Sequence, residues 1–148
     1  MDQRDYQVLK LKNQLCFPLY ACSRETIKNY KPHLDKLGLT YTQYITMLVL
    51  WEHDRMTVKE LDAELYLDSG TLTPLLKKLE EKGLVNRKRS ALDERNLIVS
   101  LTSAGEAMKD AAISIPKEMA KCVNLSQDEA ITLYRLLYKL LGRNENMD

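Results

Sequence analysis

Residues 67–105 read LDSGTLTPLLKKLEEKGLVNRKRSALDERNLIVSLTSAG, and the period of their apolar side chains changes once. Up to Gly83 these side chains recur at helical spacing; Asp68 or Ser69 can cap the start of a helix and Gly83 can end it. Beyond Gly83, LVNRKR and NLIVSLT are rich in β-branched residues and flank the polar turn SALDER. The stretch therefore predicts a helix followed by a β-hairpin with a charged tip.

Two shorter helices are predicted just upstream, in YTQYITMLVLWEH and TVKELDAELYL. Their capping boxes are Thr40 with Gln43 and Thr57 with Glu60. The second of these helices and the helix over residues 69–82 have the dimensions of a helix-turn-helix, with Gly70 in the turn. With the hairpin they form a winged helix-turn-helix, a mainly α fold with a small β wing.

Amphipathic helices are predicted on both sides of this unit. The first covers residues 6–30, with Pro32 just beyond its end. Downstream, Thr102 caps SAGEAMKDAAIS, which Pro116 closes, and a capping box of Ser126 with Glu129 opens SQDEAITLYRLLYKLLGR.

These flanking segments predict a homodimer. We expect one domain over residues 1–148, in which residues 36–102 form the winged lobe. That lobe offers too little surface to cover both flanking segments, residues 1–35 and 103–148, so we expect them to act as dimerisation helices. A compact monomeric bundle is the alternative.

Composition bounds the class of protein. With 148 residues, 45% hydrophobic and 29% charged, the chain is neither disordered nor fibrous. The longest apolar run is about five residues, so we expect no signal peptide, no membrane partner and a cytoplasmic protein with its three cysteines as thiols. No CxxC or HExxH occurs, and His33 and His53 lie far from any cysteine cluster, so neither a metal nor a cofactor is expected.

The charges are arranged in a way that favours DNA, although the formal net charge is only +1. A major groove admits one α-helix, short hydroxyl side chains approach bases closely, and basic residues on a hairpin reach phosphates or the minor groove. The candidate DNA contacts are Ser69, Thr71, Thr73, Lys77 and Lys78 on the helix, and Arg87, Lys88, Arg89, Asp93 and Arg95 on the hairpin. Asp93 is expected to hold Arg95 or the loop by an ion pair. The alternatives are a solvated basic face and a winged helix that binds protein.

A second unusual stretch, NQLCFPLYACS at residues 13–23, places two cysteines and a proline in the predicted first helix. Cys22 continues a row of leucines at four-residue spacing, and Cys16 pairs with Tyr20 one turn later. Core packing is the simplest reading of such cysteines. Pro18 removes the backbone bond to the Gln14 carbonyl, so we expect a kink or a break near Cys16.

Residues 67–105 resemble the DNA-binding core of the MarR family of bacterial transcription regulators. The wing of that family carries a D-x-R motif and a strand ending in Leu-Thr, here Asp93, Arg95, Leu101 and Thr102. QLCFPLYACSRETIKNYKP and LTYTQYITMLVLWEH resemble its organic hydroperoxide sensors of the OhrR type. The resemblance implies a homodimeric repressor of operator DNA rather than an enzyme, with Arg95 in the minor groove.

The same resemblance implies that Cys16 is the thiol oxidised by an organic hydroperoxide. It places the hydroxyls of Tyr30 and Tyr41 on the sulfur, and Tyr20 would line the same pocket. A phenol donates a hydrogen bond to a thiolate while its ring keeps the pocket apolar, which suits an organic peroxide. Core packing is the alternative role for each tyrosine.

Oxidation of a thiol gives a sulfenic acid, which a second thiol converts to a disulfide. Cys22 lies about 9 Å from Cys16 along one helix, too far for that bond, so we expect Cys22 to be a bystander. Resemblance to the two-cysteine OhrR branch implies Cys122 of the other subunit, and the bond would rotate the lobes away from the operator. The alternatives are a small thiol that caps Cys16, a repressor released by a phenolic ligand, and a thiol peroxidase.

Overall fold

The computed structural model describes residues 5–142, which fall into two compact units divided between Ile115 and Pro116. The first unit begins with short 3₁₀ turns at Tyr6–Leu9 and Leu11–Asn13 and continues with α1 (Cys16–Asp35), α2 (Tyr41–His53), β1 (Arg55–Thr57), α3 (Val58–Leu65), α4 (Ser69–Glu81), β2 (Val85–Arg89), β3 (Leu97–Leu101) and α5 (Ser103–Ala112). Helix α6 (Ile115–Ala120) begins at the end of this unit, and α7 (Gln127–Leu140) lies in the second. The predicted mainly helical fold with a small β wing is confirmed.

The core of the first unit lies where α2, α3 and α4 meet the sheet. The two predicted capping boxes of α2 and α3 are present. The Thr40 hydroxyl accepts the Gln43 backbone N–H, and the Thr40 backbone N–H donates to the Gln43 side chain. Thr57 and Glu60 make the same two bonds at the start of α3. The fully buried apolar side chains of this core are Met47, Leu50, Leu61, Leu72, Leu76, Leu79 and Val99. Burial of that many large side chains is the main favourable contribution to folding.

The turn between α3 and α4 differs from the predicted one. Asp68 caps α4 by accepting the Thr71 backbone N–H at 2.7 Å, so α4 already begins at Ser69 and Gly70 lies inside its first turn. The prediction that Gly70 forms the turn is therefore wrong. Tyr66 reverses the chain instead, in the left-handed region with φ 54°. Gly83, with φ 75°, ends α4 as predicted.

The predicted hairpin is confirmed, but the sheet has a third strand. Strands β2 and β3 pair antiparallel, and β1 pairs antiparallel with the other edge of β3, which gives the order β1-β3-β2. Val99 in the central strand lies opposite Met56 on one side and Arg87 on the other. The sequence of β1, RMT, is too short to show a strand period, which explains why it was missed.

The first helix is shorter at its start and longer at its end than predicted. It begins at Cys16 rather than residue 6, because the preceding chain forms the two 3₁₀ turns. Pro18 lies in the first turn of α1, where a backbone N–H would have no acceptor within the helix, so a proline is tolerated there. Because α1 begins only at Cys16, the expected break near Cys16 is confirmed. Pro32 lies inside α1 and does not end it; the buried Leu34 anchors the turn that follows.

The C-terminal elements also begin as predicted and end differently. Thr102 caps α5, and Ser126 with Glu129 forms the capping box of α7. Helix α6 was not predicted, and Pro116 is its second residue, so this proline opens a helix where it was expected to close one. Within residues 5–142, no helix combines the length and the apolar composition that a bilayer crossing requires.

Candidate DNA-binding surface and thiol site

Helix α4 presents one polar face to solvent and buries the other. The buried side chains are Leu72, Leu75, Leu76 and Leu79. The five predicted DNA contacts of this helix are all exposed: Ser69, Thr71, Thr73, Lys77 and Lys78. Because the apolar row fixes the rotation of the helix about its axis, the hydroxyl and ammonium groups share the outward face.

The wing holds Arg95 in a defined direction. Asp93 accepts three hydrogen bonds from Arg95, from the backbone N at 3.0 Å, from Nε at 3.1 Å and from Nη2 at 3.2 Å. These bonds hold the pKa of the Asp93 carboxyl below its usual range. The Arg95 side chain is nevertheless 90% exposed, so the expected ion pair is present and the guanidinium still faces solvent.

Three further cations of the wing have different surroundings. Lys88 and Arg89 are exposed, and Arg89 donates to the Glu94 carbonyl at 2.9 Å. Arg87 instead turns inward to Glu80 of α4, which accepts from the Arg87 backbone N at 3.0 Å and from Nη2 at 3.1 Å. Arg87 therefore connects the wing to α4, a role that residue type alone did not reveal.

Removing the Asp93 carboxylate distinguishes positioning from simple charge. We expect Asp93→Ala to lower the affinity for operator DNA by about fivefold, because Arg95 must then be immobilised on binding. Loss of a negative charge beside phosphates would by itself strengthen binding. Titration of a labelled duplex measures the effect, and tighter binding by the variant would contradict the positioning role.

Cys16 is the first residue of α1 and is exposed. Tyr20, one turn later, accepts a hydrogen bond from Arg24 Nη1 at 3.2 Å, and the guanidinium lies 5.6 Å from the centre of its ring. Since Arg24 uses an oxygen lone pair, the phenolic proton of Tyr20 remains available to another acceptor. Arg24 was not predicted, although its four-residue spacing from Tyr20 was a signal.

Tyr30 and Tyr41 meet in a cluster that includes a third tyrosine, Tyr44. The ring centres are 5.0 Å apart for Tyr30 and Tyr41, 5.7 Å for Tyr30 and Tyr44, and 6.4 Å for Tyr41 and Tyr44. Burial raises the pKa of Tyr30 and Tyr41, and raises the pKa of Tyr44 to about 12. The three phenols thus stay protonated, as hydrogen-bond donors must. Tyr44 was missed, although it follows Tyr41 at helical spacing in YTQY.

The cluster lies far from Cys16 of the same chain. Cys16 and Tyr30 belong to one continuous helix, and the 1.5 Å rise per residue separates them by about 21 Å along its axis. One chain therefore does not bring the predicted thiol pocket together; of the predicted tyrosines, only Tyr20 is one turn from the sulfur.

Burial of Tyr44 predicts a loss of stability in alkali. The unfolded chain releases its Tyr44 proton near pH 10, whereas the folded chain holds it to about pH 12, so the free energy of unfolding falls as pH rises between these values. We expect this fall to be about 2 kcal/mol shallower in Tyr44→Phe. Urea unfolding at several pH values measures it. Tyr6→Phe is the matched control, because Tyr6 is 65% exposed; an equal change in both variants would contradict the assignment.

The other two cysteines are free and exposed. Cys22 is thus not packed in the core of the chain, contrary to the packing interpretation, and its carbonyl accepts the Thr26 hydroxyl at 2.7 Å. Cys122 lies in the second unit, with its sulfur 3.9 Å from the Glu118 carbonyl oxygen. Pairing of Cys16 with Cys122 stays a prediction. In the part of the chain that the structure describes, no cluster of His, Cys, Asp and Glu suits a metal ion.

An open groove bears on the alternative of a phenolic ligand. Its lining includes Trp51 and Leu101, but also the carboxylates of Glu52, Asp54 and Glu106. Because like charges repel, these carboxylates disfavour binding of a phenol in its anionic form. None of the predicted site residues lines it.

Comparison with known proteins identifies related transcriptional regulators. The family model of the transcriptional regulators SarA/Rot matches residues 28–112. The organic hydroperoxide resistance transcriptional regulator of Bacillus subtilis strain 168 is 50% identical over 139 residues, which cover 94% of this chain and 95% of that protein.

Solved structures show the same fold. Reduced AbfR bound to DNA, a Staphylococcus epidermidis protein, has a TM-score of 0.76 at 37% identity, over 90% of this chain and 94% of that chain. The disulfide form of AbfR has a TM-score of 0.65 at 36% identity, over 90% of this chain and 93% of that chain. A mutant MarR from E. coli complexed with operator DNA gives 0.75 at 29% identity, over 86% and 93%. The chain therefore belongs to the MarR family of winged-helix transcriptional regulators and resembles its organic hydroperoxide regulators, as its sequence indicated.

Proposed function

We propose that this protein is a repressor that leaves its operator when an organic hydroperoxide oxidises Cys16. The observation that carries the proposal is the exposed thiol at the first residue of α1, in a chain whose α4 and wing present a DNA-binding surface. The relative AbfR supports the proposal, because it has been solved bound to DNA in its reduced form and also in a disulfide form.

A homodimer is the proposed assembly, because apolar surface at both ends of the chain is uncovered. The exposed apolar side chains near the start are Tyr6, Val8, Leu9, Leu11, Leu15, Phe17, Leu19, Tyr20 and Ile27, and those on α7 or just after it are Leu133, Tyr134, Leu136, Leu140 and Leu141. Segments with many exposed large apolar side chains are typical of interaction sites. We assign these segments, within residues 1–35 and 103–148, to the contact between two copies.

The dimer also explains the distance between Cys16 and the tyrosine cluster. Tyr30 lies about 21 Å along α1 from the thiol of its own chain, and Tyr41 on α2 contacts the Tyr30 ring, so we assign both to the thiol of the other subunit. Each sensing pocket then consists of Cys16 and Tyr20 from one protomer and Tyr30 and Tyr41 from its partner. Their protonated phenols donate to the thiolate and to the oxygen that leaves the peroxide.

The chemistry uses two steps. The Cys16 thiolate attacks one peroxide oxygen, the O–O bond breaks, and the departing alkoxide takes a proton to leave as an alcohol, so that Cys16 becomes a sulfenic acid. The Cys122 thiol of the partner subunit then attacks this sulfur, a disulfide forms and water leaves. Such a bond pulls on the dimerisation segments and rotates the winged lobes, so both half-sites lose register together. Because its proposed partner is operator DNA, we place the protein in the cytoplasm.

A DNA-shift assay tests the proposal. We expect the reduced protein to bind a selected duplex, cumene hydroperoxide to release it and dithiothreitol to restore binding. On a non-reducing gel, a covalent dimer should accompany release. Release without that dimer would favour a small thiol as the cap on Cys16, and a shift unchanged by peroxide would refute redox sensing.

Mixed dimers test whether the pocket is shared between subunits. One chain carries Cys16→Ser and the other carries Tyr30→Phe with Tyr41→Phe, and the two are purified together through different tags. A shared pocket leaves one intact site, so about half of the wild-type sulfenic acid forms at the wild-type rate. If each pocket belonged to one chain, neither site would be intact and the rate would fall to that of the tyrosine variant.

A further inference from the structure

A leucine in the loop of the wing is almost fully exposed. Leu92 is 99% exposed, the highest value among the exposed large apolar side chains of the described residues. It lies in the loop between β2 and β3, directly before Asp93. Single exposed leucines are common on protein surfaces, so its location must show whether this one has a role.

The loop that carries Leu92 is held by other groups. The Ser90 hydroxyl accepts the backbone N–H groups of Leu92 at 3.2 Å and of Asp93 at 3.4 Å. The Asn96 N–H donates to the Asp93 carbonyl at 3.0 Å, and the Ser90 N–H donates to the Asn96 carbonyl at 2.7 Å. The side chain of Leu92 contributes to none of these bonds, so the loop presents it outward without depending on it.

The surroundings of Leu92 determine which partner fits. Arg95 is 90% exposed and held by Asp93, and Lys88 and Arg89 are exposed on the adjoining strand. An apolar protein surface would have to bury these cations without partners, which is costly. Nucleic acid pairs them with phosphates and offers the C–H surface of the deoxyribose walls to an apolar tip.

We propose that Leu92 enters the minor groove of the operator beside Arg95 and packs against the deoxyribose walls. The inference rests on the proposed DNA-binding function and adds an apolar contact to the polar ones of the wing. Leucine is among the apolar residues that other proteins insert into the minor groove. The contact buries hydrocarbon and neutralises no phosphate, so its contribution to affinity is independent of salt.

The expected signature separates Leu92 from the charged residues around it. Leu92→Ala and Leu92→Ser should weaken binding roughly fivefold to twentyfold, because they remove most of the buried hydrocarbon. The slope of log affinity against log salt should not change. Arg95→Ala, by contrast, should lower the magnitude of that slope by about one. Leu92→Met should bind within about twofold of the wild type, since it keeps the apolar volume.

The experiment uses the full-length reduced protein and a duplex selected from a random-sequence library. Fluorescence anisotropy at four salt concentrations gives affinity and slope for each variant, and Ala91→Ser is the control in the same loop. Thermal unfolding shows that each variant is folded. Binding of Leu92→Ser within twofold of the wild type, or a loss that comes with a smaller slope, would overturn the inference. Failure of the wild type to select any duplex would instead refute the proposed function.

Discussion

Cys16→Ser is expected to bind operator DNA within about twofold of the wild type and to show no release by organic hydroperoxide. Cys16 is exposed at the start of α1 and its side chain packs into no core, so serine preserves the fold. The serine hydroxyl is not ionised at neutral pH and does not attack the O–O bond, so no sulfenic acid forms. DNA-shift assays with cumene hydroperoxide, and mass spectrometry of a sulfenic acid trap, measure both parts.

The other two cysteines supply the controls. Cys22→Ser changes an exposed thiol on the same helix and should respond like the wild type. Cys122→Ser should still form the sulfenic acid but no covalent dimer. If Cys16→Ser were released as fully as the wild type, the protein would be a ligand-responsive repressor. Peroxide consumption over many turnovers with a thiol reductant would indicate a peroxidase.

Gly105→Ala is expected to have the largest effect on stability. A Cβ at Gly105 would lie 2.1 Å from the Leu84 carbonyl oxygen, and this neighbour is backbone that cannot turn aside. Helix α5 would have to move away from the start of β2, and the 2.9 Å bond from the Trp51 indole to the Gly105 carbonyl would be lost or distorted. We expect a loss of about 3 kcal/mol or more in the free energy of unfolding, measured by urea denaturation.

Gly70→Ala is the matched control. Gly70 also lies in a helix, but its added Cβ would meet only the Asp68 side chain, at 3.3 Å. Alanine is a better helix former than glycine, which offsets a small shift of the capping Asp68 side chain, so we expect this variant to stay within about 1 kcal/mol of the wild type. Equal destabilisation by both substitutions would show that the contact with Leu84 is not responsible.

The sequence predicted the winged helix well because its signals are local. Thr40, Thr57 and Ser126 cap helices through bonds to residues three positions away, and such pairs are visible in the sequence. The hairpin was equally visible, because β2 and β3 flank a polar turn. Strand β1 was not, since three residues become a strand only through pairing with a distant partner.

The sequence predicted which residue types belong to the candidate sites, but it predicted few of the contacts that those side chains make. The basic character of Arg87 suggested a DNA contact, whereas its bonds to Glu80 depend on how the wing packs on α4. Likewise, the sequence pointed to Tyr30 and Tyr41 but not to Tyr44. Only the structure shows that Tyr44 is buried and that its ring contacts both of the others. The distance of this cluster from Cys16 could have been predicted, because the helix expected over residues 6–30 already contained both Cys16 and Tyr30.

The bond pair between Arg87 and Glu80 has a consequence for how the protein leaves DNA. Glu80 lies at the end of α4 and Arg87 in the first strand of the wing, and two hydrogen bonds between partly buried groups oppose their separation. We therefore expect α4 and the wing to move as one body. For each half-site, we expect dissociation as a single kinetic phase, without an intermediate that keeps only the wing or only the helix on DNA.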